Sequence, residues 1–237
     1  MFGQEVEVAA PTLFVLALYL VIVIISITLH EYAHGWMAVR SGDHTPEDAG
    51  RLTLNPLPHI DPIWTIICPI LMVIFLGFAL GAAKPVPINP HNFRNLKRDY
   101  RLVSFAGVAV NFLLAVILSL LLRFFQATSG GALTYASIVL GMGVMTNFAL
   151  FIFNLIPIPP LDGSKILRSF LPDSIGDSYE RMGLLGIILI VAFVVLFGGF
   201  FFYAVAFFWR LVGLDMQLMG EILYSFSQEM GNLRGIF

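Results

Sequence analysis

The chain has 237 residues, 58% of them hydrophobic and 12% charged, with a formal net charge of −2 at pH 7. Soluble domains carry about 25% charged residues, so this composition and a mean hydropathy of +0.88 exclude an ordinary soluble domain and point to a polytopic membrane protein. The single cysteine, Cys68, excludes an internal disulfide and a cysteine-based metal site, so any metal must be held by nitrogen and oxygen.

No basic cluster interleaved with aromatic residues points to nucleic acid. The N-terminus has neither the basic region nor the small-residue cleavage site of a signal peptide, so the first apolar run reads as a retained span. That run predicts a helix from Pro11 to about Arg40, ended by Gly42. Ser41 to Asp61 is polar, and Arg51-Leu52-Thr53-Leu54-Asn55 alternates like a short strand. Pro62 to Ala83 is apolar but broken by Pro69, Gly77 and Gly81. Lys84 to Pro90 holds three prolines and cannot be helical.

Leu102 to Phe125 and Thr134 to Ile156 are clean apolar spans, joined by a short Gly/Ser/Thr turn. Asn111 lies in the first, and Asn147 and Asn154 in the second. Pro157-Ile158-Pro159-Pro160-Leu161-Asp162-Gly163 ends the second span abruptly. Ser164 to Arg181 reads as a polar connection. Met182 to about Trp209 is the last strong apolar run, and Gly198-Gly199 predicts a break within it. Leu211 to Phe237 reads as an amphipathic tail that ends near the surface.

The chemistry concentrates at the end of the first run, in His30-Glu31-Tyr32-Ala33-His34. Residues four apart share a helix face, so His30 and His34 can direct their imidazoles at one metal ion. Glu31 can then reach a water bound to that metal, the zinc-hydrolase arrangement. A catalytic zinc needs a third protein ligand. Asp43, His44, Glu47, Asp48, His59, Asp61, His91, Asp99 and Asp162 are the candidates, and most lie in loops where such residues are simply solvated. Asp162 differs, because an acid at a membrane boundary is costly without a partner. If Asp162 meets the two histidines, the first span and the Thr134–Ile156 span end on the same side. Pro62–Ala83 is then either a re-entrant or bent hairpin or a full crossing with a compensating return.

Charge gives an independent check. In that topology Arg40, Arg51, Lys84, Arg94, Lys97, Arg98, Arg101, Lys165, Arg168 and Arg181 share one side, while Arg123 and Arg210 face the other with Glu5 and Glu7. The positive-inside rule makes the first side, and the active site with it, cytoplasmic.

At these residues the chain resembles the site-2 protease family of intramembrane zinc metalloproteases. The resemblance rests on His30-Glu31-Tyr32-Ala33-His34 and on Asn154-Leu155-Ile156-Pro157-Ile158-Pro159-Pro160-Leu161-Asp162-Gly163. Ala106-Gly107-Val108-Ala109-Val110-Asn111 is similar to the family's Gly-Pro-x-x-Asn element, with Val108 in place of the proline. The resemblance covers roughly residues 12 to 170 and is nearest to compact members without PDZ or CBS domains. It implies one Zn2+ held by His30, His34 and Asp162, Glu31 as catalytic base, and a small β-loop beside the site. The strands of that loop would be Arg51–Asn55 and Lys84–Asn89.

The expected fold is therefore an all-α membrane protein of five to six membrane segments, with a re-entrant segment and a β-loop. It forms one domain over 1–237, with a catalytic core of about 12–170 and a C-terminal span and tail of about 182–237. The expected activity is cleavage of transmembrane segments of membrane-protein substrates, as in regulated intramembrane proteolysis, within a lipid bilayer such as a prokaryotic plasma membrane. Homo-oligomerisation stays open. Asn111, Asn147 and Asn154 are candidates for substrate binding or for supporting the zinc ligands, and His59 and Asp61 for a polar gate. A non-proteolytic zinc-binding partner and a metal transporter using His30, His34 and Asp162 are the rival readings. A transporter predicts several intramembrane carboxylates along a path, which the sequence does not offer.

Overall fold

The computed structural model describes the backbone of residues 2–67, 70 and 83–234. Its long helices are α1 (Phe2–Ser41), α3 (Leu96–Thr128), α4 (Tyr135–Asn154), α7 (Gly183–Leu211) and α8 (Met216–Arg234). The short ones are α2 (Thr45–Asp48), α5 (Asp162–Arg168) and α6 (Asp173–Glu180). Single 3-10 turns occupy Leu57–His59 and Pro90–Asn92, and a π-helical stretch covers Pro62–Ile67.

Three of the described helices are long and apolar enough to cross a membrane: Leu13–Ser41 of α1, α3 and α4. Leu196–Leu211, within α7, is a shorter apolar stretch. The expected re-entrant segment, 62–83, lies mostly outside the described residues. No strand occurs among the described residues, and the expected β-loop segments 51–55 and 84–89 carry no ladder. They are nonetheless neighbours, because the Arg51 guanidinium donates to the Lys84 carbonyl at 2.6 Å and the Lys84 amide to the His59 carbonyl at 2.9 Å.

α1 begins at Phe2, ahead of Pro11, and stops where the sequence places the stop. Gly42 adopts φ 106°, and the amides of Gly42 and Asp43 return to the carbonyls of Val39 and Ala38. This left-handed cap suits glycine, which has no Cβ to clash there. α3 packs against both α1 and α4. Its direction follows from the contacts: His30 meets Asn111 while His34, further along α1, meets Val103, earlier in α3. α1 and α3 are therefore antiparallel. Tyr19 meets Thr146, Ser26 meets Asn147 and His34 meets Asp162, so α1 and α4 run parallel.

One expectation changes in the C-terminal part. α7 runs unbroken through Gly198-Gly199. A helical glycine costs only about 1 kcal/mol, and a Cβ at either position would meet open space. The tail forms an amphipathic helix, as its sequence reads, with its apolar face covered, and the end of the chain, 235–237, lies outside the described residues. Met219, Ile222, Phe226 and Met230 recur at helical spacing and are all buried in one core cluster with Tyr19, Phe148 and Trp209. Gly141 of α4 makes room for this helix, since a Cβ there would lie 2.4 Å from Ile222 Cδ1.

Between α1 and α3 the chain is pinned by one carboxylate. Asp43 is fully buried. It accepts from the Thr45 amide and hydroxyl, from the Asn92 side chain at 2.8 Å and from the Asn89 amide at 2.7 Å. Burial works against this carboxylate, but the bonds from Thr45, Asn89 and Asn92 outweigh it and hold its pKa below the ordinary value. A depressed pKa stabilises the fold above the ordinary carboxylate pKa, and that contribution is lost as pH falls through the depressed value. Acidification below about pH 4 is therefore expected to raise hydrogen exchange at the Asn89 amide before the α3–α4 core opens. Asp43→Ala is expected to do the same at neutral pH, at a cost of about 1–3 kcal/mol.

Candidate metal centre

His30 and His34 lie one turn apart on α1, and Asp162 opens α5. All three are buried. Asp162 is delivered by the proline-rich turn after α4, where Gly163 allows two backbones to touch. A Cβ on Gly163 would stand 2.2 Å from the Leu155 carbonyl oxygen.

The ring nitrogens face one another. His34 Nε2 lies 3.0 Å from His30 Nε2 and 3.0 Å from Asp162 Oδ2, and His30 Nε2 lies 3.2 Å from the same oxygen. With both rings neutral, in the tautomers that their other partners set, hydrogen bonding does not account for this triangle. His34 Nδ1 sits 2.7 Å from the Val103 carbonyl, which only accepts, so in the neutral ring Nδ1 carries the proton and Nε2 presents a lone pair.

His30 is fixed less directly. Asn147 Nδ2 contacts the Gly143 carbonyl at 2.9 Å, so this atom is the amide nitrogen, and it also donates to Ser26 Oγ. The Ser26 hydroxyl in turn donates to the Ile22 carbonyl. Asn147 therefore turns its Oδ1 toward Asn111 and accepts from Asn111 Nδ2 at 3.2 Å. Asn111 is left with its Oδ1 toward His30 Nδ1, at 2.6 Å. The relay sets His30 Nδ1 as a donor and its Nε2 as a second lone pair.

Two lone pairs and a carboxylate oxygen thus converge in a buried space. Such a group is repulsive without a cation and well suited to one. Tetrahedral zinc with bonds of about 2.0–2.1 Å has ligand–ligand edges of about 3.3 Å, close to the 3.0–3.2 Å found here. The three atoms form a group able to hold one metal ion. The other oxygen of Asp162 accepts from Lys165 Nζ at 3.0 Å, one turn along α5.

Glu31, next to the first ligand, is partly buried, and its Oε2 accepts from the Val86 amide at 2.8 Å. The remaining residues singled out in the sequence do not join the group. Asn154 Nδ2 donates to the Leu150 carbonyl within its own helix. His59 Nε2 lies 3.0 Å from the Thr53 carbonyl, and Asp61 accepts from the Ile63 amide at the start of the π-helical stretch.

Gly107 is a site residue whose role the sequence does not disclose. A Cβ there would lie 2.4 Å from His34 Nε2 and 2.9 Å from His30 Cε1, so only glycine lets α3 pass this close to both rings. Val103 acts through its carbonyl, which leaves no trace in residue identity. Gly107→Ala is expected to lower zinc content sharply while the helices remain folded, checked by elemental analysis and circular dichroism. Asn111→Leu removes the partner of His30 and is expected to weaken zinc binding about 10- to 100-fold, measured by chelator competition.

Comparison with known proteins agrees with this geometry. Residues 131–198 match the model of Peptidase family M50. A Bacillus subtilis protein named "Putative zinc metalloprotease YwhC" is 37% identical over 188 residues, covering 77% of this chain and 83% of that protein. A Mycolicibacterium smegmatis protein named "Putative zinc metalloprotease Rip2" is 37% identical over 150 residues, covering 62% of this chain and 55% of that protein. A Mycobacterium tuberculosis protein of the same name is 34% identical over 149 residues, with the same coverage. No solved structure matches. The chain belongs to Peptidase family M50, the site-2 protease family of membrane zinc metallopeptidases.

Proposed function

We propose that this protein is an intramembrane endopeptidase that cuts transmembrane segments of membrane-protein substrates, in the manner of regulated intramembrane proteolysis. The observation that carries the reading is the convergence of His30 Nε2, His34 Nε2 and Asp162 Oδ2 at the end of an apolar helix, with Glu31 beside them.

His30, His34 and Asp162 would hold the zinc ion. Bound there, it supplies Lewis-acid polarisation of the scissile carbonyl and acidifies water. Glu31 takes the proton from the attacking water as its oxygen bonds to the carbonyl carbon. The same carboxyl then delivers that proton to the amine nitrogen as the C–N bond breaks. Asn111 and Asn147 hold His30 in the ligating tautomer. Lys165 steadies the Asp162 oxygen that faces away from the histidines.

A helical peptide bond is shielded from attack, so the substrate must unwind. Residues 51–55 and 84–89 have no ladder of their own and are the candidates for an edge that receives it as a strand. His59 and Asp61 stand where this region enters 62–83. The ends of α1 and α4 lie with the basic start of α3, and the charge bias supports a reading in which that end faces the cytoplasm across a prokaryotic plasma membrane.

Glu31→Gln is expected to keep one zinc per chain and abolish cleavage of a co-reconstituted transmembrane substrate. Asp162→Ala is expected to lose both zinc and cleavage. Cleavage that persists in Glu31→Gln contradicts the assigned base, and normal zinc content in Asp162→Ala contradicts the ligand set.

A further inference from the structure

A cavity of about 190 Å³ adjoins the metal-binding group. Val86, Ile88 and Phe93 line it from the segment before α3, and Tyr100 from the second turn of α3. It reaches His34 and Lys165. These two residues tie it to the site. His34 directs Nε2 into the metal-binding group, and Lys165 Nζ holds Asp162. A peptide bond held over that group therefore has this cavity within reach of a neighbouring side chain.

The size is selective. An apolar cavity of about 150 Å³ accepts benzene, so one leucine or phenylalanine side chain fits here and a second does not. The walls are held in place before any ligand arrives. Phe93 and Tyr100 pack edge to face with centroids 6.2 Å apart. The Val86 amide is fastened to Glu31 and the Asn89 amide to Asp43. A wall fixed in advance costs little ordering when a side chain enters. The described lining is mainly apolar and includes no carboxylate to pair with a basic side chain.

We propose that this cavity is a recognition pocket for one bulky apolar side chain, of the leucine or phenylalanine class, next to the bond that is cut. It rests on the metalloprotease reading above and adds a preference to it.

Peptidyl hydroxamates provide the probe, because the hydroxamate anchors at a zinc site while one variable side chain is presented beside it. The series carries hydrogen, isobutyl, benzyl or aminobutyl at that position, and binding to the zinc-loaded full chain is measured by calorimetry. Isobutyl and benzyl are expected to bind about tenfold or more tighter than hydrogen, and aminobutyl no tighter than hydrogen. Ile88→Trp, which fills the cavity, is expected to bring the benzyl-to-hydrogen ratio toward one. Ile88→Ala, which enlarges it, is expected to shift preference to a naphthylmethyl side chain. Equal binding of hydrogen, isobutyl and benzyl by the wild-type chain overturns the pocket, as does a ratio unchanged in both variants. Failure of the whole series to bind overturns the metalloprotease reading, and the pocket with it.

Discussion

Two imidazole lone pairs and a carboxylate oxygen cannot share a buried space unless a positive charge stands between them. Most of the surrounding architecture serves that constraint. Parallel α1 and α4 bring the histidines and the proline-rich turn to one end of the molecule, and antiparallel α3 supplies the groups that orient the rings. Gly107 lets α3 approach, and Gly163 lets the turn fold back so that Asp162 points inward. The hydrogen-bond relay from Gly143 through Asn147 and Asn111 to His30 has a consistent direction at every step. A buried polar chain inside an apolar bundle is stable when each member is satisfied, and here the satisfied state is also the metal-ready one.

The second organising feature is the segment from Lys84 to Asn92. It has no regular ladder, yet it is fastened at Lys84, Val86 and Asn89. Its anchors reach α1 and the residue that follows it, because the Val86 amide bonds to the Glu31 carboxylate and the Asn89 amide to Asp43, just past the end of α1. Packing, site geometry and access are therefore coupled. A change in this segment alters both the surroundings of the Glu31 carboxylate and the shape of the cavity beside His34.

Much of this was legible in the sequence, for identifiable reasons. His30 and His34 declare themselves by four-residue spacing on a helix. Asp162 stands out because a carboxylate at the end of an apolar span needs a partner. Gly42 is readable as a helix stop because its conformation suits glycine. Other parts were hidden for equally physical reasons. The Val103 carbonyl and the Val86 amide are backbone groups and carry no residue signature. Gly107 was visible as a glycine, but the closeness of the two rings is a tertiary fact. In the tail, the spacing of Met219, Ile222, Phe226 and Met230 disclosed an apolar face, yet not that Tyr19 and Phe148 would cover it. Gly198-Gly199 read as a break, but local propensity is weak against a helix that long.

The central claim concerns what the three converging atoms hold, and X-ray absorption at the zinc edge of the purified protein addresses it most directly. Four nitrogen or oxygen neighbours at about 2.0–2.1 Å, with the outer-shell scattering of two imidazole rings, are the expected result. A sulfur neighbour, a third imidazole or six oxygen neighbours would contradict the assignment of His30, His34 and Asp162.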